Sequence, residues 1–287
     1  MIAIQVLQGL MEGVTLFLIA SGLTLIFGVS LVINFAHGSF YMLGAFLTYQ
    51  LYPHILYRTV PGFYITIILC GLIVAVLGLL FEVLLMRRVY HTEHLMQLVV
   101  TIAGVLIIRD LVKVIWGVNE AASPVPDALA GAVVIGGNYI PSYQLAMVAV
   151  GIVVLILMYA ALNYTRAGII LRAATDDRGM VALLGINQAY VFSGVFFVGS
   201  FLAGVAGGLA ASFEAVDYLL DTRVIINAFI VVIIGGLGSL SGALIGAIAV
   251  GVLKALGLLW VPEISFVGAY LLVAVVLMVR SFRRSVE

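Results

Sequence analysis

The chain has 287 residues, 64% of them hydrophobic and only 9% charged, with a formal net charge of zero and a mean hydropathy of +1.29. Soluble domains carry roughly 45–50% apolar residues, so this composition excludes a soluble globular chain and predicts a polytopic membrane protein. The single cysteine, Cys70, excludes an internal disulfide and a thiolate metal cluster, and no basic stripe outside the membrane flanks invites nucleic acid.

From the N-terminus, there is no Lys or Arg before Arg58, so a signal peptide with a basic leader is not expected. Residues Gly13 to Tyr57, Ala128 to Thr165, Gly179 to Phe213, Val224 to Leu253 and Ile264 to Val279 carry no Asp, Glu, Lys or Arg. A helical span needs about 20 apolar residues, so several of these runs are crossed twice. They lack the polar/apolar alternation of a membrane barrel, which leaves an all-α bundle. Spans are predicted near 4–28, 36–52, 63–86, 95–116, 141–162, 188–212, 224–238, 241–260 and 265–281, about eight or nine crossings in one transmembrane domain covering 1–287. Arg87, Arg88, Arg166, Arg172, Arg178, Arg280, Arg283 and Arg284 mark the cytoplasmic side. The N-terminus and the Trp116–Ile140 loop are then external.

Within the first run, Val32-Ile33-Asn34-Phe35-Ala36-His37-Gly38-Ser39 gathers hydrogen-bonding side chains, with Tyr41 beyond them. Two readings stay open there: a helix break at membrane depth, which survives only against protein or a watery path, and an ordinary cytoplasmic turn. Arg109, Asp110 and Lys113, late in span four, permit an Asp110–Lys113 helix pair and read as snorkelling side chains, with a vestibule role for Arg109 as the alternative. His91 and His94 flank Glu93 in a turn without a metal-ligand arrangement. The lysines are Lys113 and Lys254, and no phosphate loop is present, so ATP hydrolysis has no seat on this chain.

A polar island at 165–187 divides the later spans. Its arginines place it inside, Thr175 is predicted to cap a helix of about ten residues whose first turn holds Asp176 and Asp177, and Gly185 stops it. Met180, Val181, Leu183 and Leu184 give that helix an apolar side, which fits either the bilayer surface or a groove on another protein. Span six carries the small-residue stripes Gly199, Ala203, Gly207, Ala211 and Ser200, Gly204, Gly208, Ser212. Span eight carries Ala243, Ala247, Gly251, Ala255, and both stripe sets predict close helix packing. A glycine- and serine-rich break, Gly235 to Gly242, separates spans seven and eight.

Ile33-Asn34-Phe35-Ala36-His37-Gly38, Thr165-Arg166-Ala167-Gly168 with Ala182-Leu183-Leu184-Gly185-Ile186-Asn187, and Gly235-Gly236-Leu237-Gly238-Ser239 with Gly242-Ala243 resemble the permeases of branched-chain amino acid ABC importers, the smaller of the two permease types. The resemblance covers nearly the whole chain. It implies a multi-pass protein of the bacterial inner membrane without enzyme activity, paired with a second permease as a heterodimer. Its further implied partners are two cytoplasmic ATPase subunits and a periplasmic binding protein, with ATP and Mg on the ATPases and no cofactor on this chain. The island becomes the coupling segment, contacting the ATPase through Arg172, Ala174, Asp176, Asp177, Gly179, Met180, Ala182, Leu183, Leu184 and Gly185. Asn34, His37, Gly38, Ser39 and Tyr41 are expected along the substrate pathway. Many leucine-transporting members carry an acidic residue after the His-Gly pair where this chain has Ser39, so urea, short amides or aromatic acids stand beside branched-chain amino acids as expected substrates. An autonomous proton-coupled carrier using His37 is the alternative of another class.

Overall fold

A computed structural model describes residues 2–135 and 137–260. Its helices in chain order are α1 (Ile2–Ser30), α2 (Ala36–Leu51), α3 (Val60–Phe81), α4 (Arg87–Val89), α5 (His94–Trp116), α6 (Ser142–Tyr164), α7 (Arg166–Asp176), α8 (Arg178–Leu183), α9 (Gln188–Ala210), α10 (Leu220–Gly235) and α11 (Leu240–Trp260). Among the described residues, five helical segments are long and apolar enough to cross a membrane: Ile4–Ser30, Val60–Val89, Ser142–Tyr164, Gln188–Ala210 and Leu240–Leu258. With α5, which carries Arg109, Asp110 and Lys113, and the 16-residue α2 and α10, the helices follow the predicted spans. The ninth predicted span, 265–281, lies outside the described residues.

The small-residue stripes decide the packing. On α9, Gly199 meets α1 at Gly22 and Ile26, Gly204 meets α3 at Gly71 and Val74, and Gly207 meets α2 at the Tyr41 carbonyl. The first stripe packs on α1 and α2 and the second on α3 and α2, which makes α9 the hub. On α11, Gly251 faces Gly9 and Ala247 faces Gly13 of α1. A Cβ on Gly9 would lie 2.7 Å from the Val252 α-carbon, so the two backbones touch where no larger residue fits. The outward side of α3 presents Ile65, Ile68, Leu72, Val76 and Leu80, all exposed, an apolar stripe at helical spacing suited to lipid.

Two features of the fold were not foreseen. The loop between α5 and α6, expected to be external, contains a hairpin, β1 (Ala132–Ile135) paired antiparallel with β2 (Asn138–Pro141), where a plain loop was expected. Val133 opposite Ile140, and Val134 opposite Tyr139, supply β-branched and aromatic pairs, and Gly137 takes the φ of +80° that a tight turn demands. Second, the C-terminal end of α3 widens into a π turn at Glu82–Met86. It carries Glu82, fully buried, which accepts Ser193 Oγ of α9 at 2.6 Å and Arg87 Nε at 3.3 Å.

Candidate functional site

The break after α1 is a re-entrant segment. Ser30 Oγ bonds the Ile26 carbonyl and accepts the Val32 amide at 3.2 Å, and Leu31 turns the chain at φ +56°, a conformation costly for a branched side chain. The backbone then climbs back beside α1, until His37 Nε2 donates to the Ile19 carbonyl at 3.0 Å. Ile19 stands eleven residues before Ser30, about 16 Å along the helix axis, which is near the middle of a bilayer core about 30 Å thick. Helix α2 thus starts at mid-depth. The cytoplasmic-turn reading is replaced by a helix break that re-enters the bundle: Leu31 and Ile33 at its start are exposed, and Asn34, His37 and Ser39 beyond them are fully buried.

The individual positions differ. The carbonyl partner fixes the Nε2–H tautomer of His37, and among the described residues its Nδ1 has no hydrogen bond, nor do the side-chain amide atoms of Asn34. A Cβ on Gly38 would lie 2.5 Å from the Asp221 carbonyl oxygen, so glycine there lets α10 approach. Ser39 Oγ donates to Asp221 Oδ2 at 3.3 Å. The other carboxylate oxygen accepts Arg109 Nη2 at 2.8 Å and the Thr222 amide at 2.6 Å. This pair corrects the snorkelling reading of Arg109: its charge is neutralised inside the bundle, where it joins α5 to α10. Asp110 and Lys113 do form the expected helix pair, at 3.2 Å.

Tyr41 leads to a second polar region. Its hydroxyl donates to Glu214 Oε2 at 3.5 Å, across a cavity of about 500 Å³ between α1, α2, α10, α11 and the α9–α10 connection. Glu12 and Lys254 form an ion pair on one wall; Arg223, half-exposed, bonds Asp217 Oδ2 at 2.8 Å on the other. Burial pushes the Glu214 carboxyl above its usual range, Glu12 adds to that, and Lys254 and Arg223 work against it. Sequence reading missed this site because its charges come from four separated segments. The signal in the chain was Glu12 and Lys254, each the one charge inside an otherwise charge-free helix, α1 and α11.

The cavity lies at the end of the bundle away from the polar island. At that end Ala121 bridges Val216, and the Ser123 amide donates to the Ala211 carbonyl at 2.8 Å, tying the external loop to the α9–α10 connection. At the other end Gly28 lies against Thr175.

The island folds as two helices. Thr165 caps α7 by accepting the Gly168 amide at 3.1 Å, and Asp177 caps α8 by accepting the Met180 amide at 3.0 Å. Thr175, expected to be the cap, sits inside α7 and bonds back to the Leu171 carbonyl. A carboxylate won the cap position because the chain turns extended at Asp177, with φ −150° and ψ 101°. Gly185 ends α8 at φ +81°, and the Ile186 amide reaches back to the Val181 carbonyl at 3.3 Å. Leu183 and Leu184 are 83% and 73% exposed and Met180 is 56% exposed, whereas Val181 and Ala174 are buried. Val181 therefore anchors the segment and leaves the exposed face. Arg172, Asp176, Gly179 and Ala182 are exposed beside it, and Arg172 donates to Asn163 Oδ1 at 3.0 Å. Among the described residues, no group of three His, Cys, Asp or Glu side chains is placed to hold a metal.

A helical bundle with a re-entrant segment and an exposed amphipathic island is consistent with a polytopic permease. Residues 5–280 match the profile of the family described as "Branched-chain amino acid transport system / permease component", and the chain belongs to that family. It is an ABC-importer permease, a multi-pass protein of the inner membrane that works with partner subunits. The chain is 29% identical to the high-affinity branched-chain amino acid transport system permease protein LivH of Salmonella typhimurium, over 88% of this chain and 84% of the relative. It is 30% identical to BraD of Pseudomonas aeruginosa, described in the same words, over 88% and 85%. A probable LivH of Methanocaldococcus jannaschii shares 30% identity over 84% and 76%. No solved structure matches the chain.

Proposed function

We propose that the protein is one permease half of a binding-protein-dependent importer for branched-chain amino acids, driven by ATP hydrolysis on partner ATPases. The observation that carries this reading is the α8 surface: three large apolar side chains, Met180, Leu183 and Leu184, stand exposed on a capped helix whose Val181 is rooted in the bundle. A helix of six residues does not hold its shape in water unaided, so this surface is held ready for a partner. ATP and Mg bind on that partner; two ATPases, a second permease forming a heterodimer, and an external binding protein complete the assembly. Closure of the ATPase pair displaces α7 and α8, and access switches because the partner binds the two bundle states with different affinity.

Asn34, His37, Gly38, Ser39 and Tyr41 form the mid-bundle stretch past which substrate moves. Ser39 stands against the Asp221 carboxylate, which Arg109 already neutralises, and the relatives named as branched-chain amino acid permeases favour an amino acid over urea or a neutral amide. Co-purification with two ATPases and a second permease, followed by ATP-dependent leucine uptake in liposomes, tests the reading. Uptake by this chain alone on a proton gradient would overturn it.

A further inference from the structure

The cavity at the external end has a charge pattern that the ion pairs within it do not complete. Glu12 is matched by Lys254 and Asp217 by Arg223, while the Glu214 carboxylate has the Tyr41 hydroxyl at 3.5 Å as its one hydrogen bond among the described residues. Asp217 stands outside the lining and draws on Arg223 from behind, so three carboxylates share two cations, and Glu214 is the one that burial disfavours. Cationic donors also remain to spare. An ammonium has three N–H donors and Lys254 directs one to Glu12; a guanidinium has five and Arg223 uses few. Between these poles the lining is aliphatic: Leu16 and Ile19 of α1 and Val224 of α10. One cation short, with unused donors and an apolar wall, the cavity complements a small molecule that carries an ammonium, a carboxylate and a hydrocarbon group. Its volume of about 500 Å³ falls within the range of about 300–1,000 Å³ usual for small-molecule sites.

We infer that this cavity is a substrate subsite for a zwitterionic aliphatic amino acid, with the ammonium on Glu214, the carboxylate on Lys254 and Arg223, and the side chain along Leu16, Ile19 and Val224. The ammonium supplies the missing positive charge. Tyr41, one helical turn beyond His37, sits between this subsite and the buried stretch at Asn34 to Ser39, so the subsite is the outer station of the same route. This inference rests on the importer reading given above.

The test uses the intact permease and ATPase assembly in nanodiscs, without binding protein or nucleotide, and saturation-transfer NMR with L-leucine, isopentylamine and 4-methylpentanoate. Leucine is expected to bind, and each analogue, lacking one charged group, to bind about tenfold more weakly, the loss of one charge-assisted hydrogen bond. Glu214→Gln should weaken leucine by a similar factor and Glu214→Asp should restore part of it. Wild-type binding of isopentylamine as tight as leucine would identify a simple cation site and overturn the inference; the analogue series does so even if the Glu214 variants fail to assemble. ATP-driven leucine uptake by the full wild-type system, together with unchanged leucine binding by Glu214→Gln, would overturn the subsite and leave the importer reading standing. Absence of any amino acid uptake by the full wild-type system would overturn both.

Discussion

Ser39 and Asp221, 182 positions apart in sequence, meet through a 3.3 Å hydrogen bond in which the hydroxyl donates to a carboxylate that Arg109 also holds at 2.8 Å. One buried acid thereby joins three helices, α2, α5 and α10. Arg109→Ala leaves Asp221 charged and unpaired, and the expected cost is about 3–5 kcal/mol. Adding Asp221→Ala should recover part of that loss, because it removes the orphaned charge. Thermal unfolding of the single and double variants measures the coupling, and additive losses would show that the pair does not act as a unit.

Glycine positions on the hub should divide sharply by what their Cβ would meet. Gly44 packs on the Gly204 backbone with no room for a methyl group, so Gly44→Ala is expected to destabilise by about 1–3 kcal/mol. Gly194 lies inside α9, where an added methyl group would meet open space. Gly194→Ala should be neutral or stabilising by up to about 1 kcal/mol through helix propensity. Melting temperatures of the purified protein compare the two directly.

Leu183→Asp and Leu184→Asp place a charge on the exposed face of α8 without touching the buried Val181. Leucine uptake should fall at least about tenfold, since interface contacts of this kind carry about 2 kcal/mol or more. The bundle itself should purify with an unchanged melting temperature. Normal uptake in both variants would remove α8 as the coupling contact.

The cap of α8 offers a gentler perturbation. Asp177→Ala removes the acceptor for the Met180 amide and should cost about 1 kcal/mol locally, whereas Asp177→Ser keeps a capping oxygen. Hydrogen exchange across 178–184 is expected to quicken in the alanine variant and to stay near wild type in the serine variant. Equal exchange in both would show that the cap does not order this helix.

Much of this bundle was legible because membrane helices are written in composition: charge-free runs gave the spans, and small-residue stripes on α9 and α11 gave the close approaches. The cap at Asp177 was misread because Thr175 and Asp177 are both capable capping residues. Only the backbone angle at the turn chooses between them. The β1–β2 hairpin was missed since four-residue strands in a long loop carry little periodicity. The π turn at Glu82 left no signal beyond one acid in an apolar run.

The sequence by itself determined a polytopic helical membrane protein, its polar island and the family motifs that identify a permease, since each depends on hydrophobicity or local order along the chain. Tertiary structure alone decided that the segment after Ser30 re-enters to mid-membrane, that Arg109 neutralises Asp221, and that Glu12, Glu214, Arg223 and Lys254 share one cavity. Those relations join residues far apart in the chain. Charge pairing acts through space, and linear order carries no record of which helices will be neighbours.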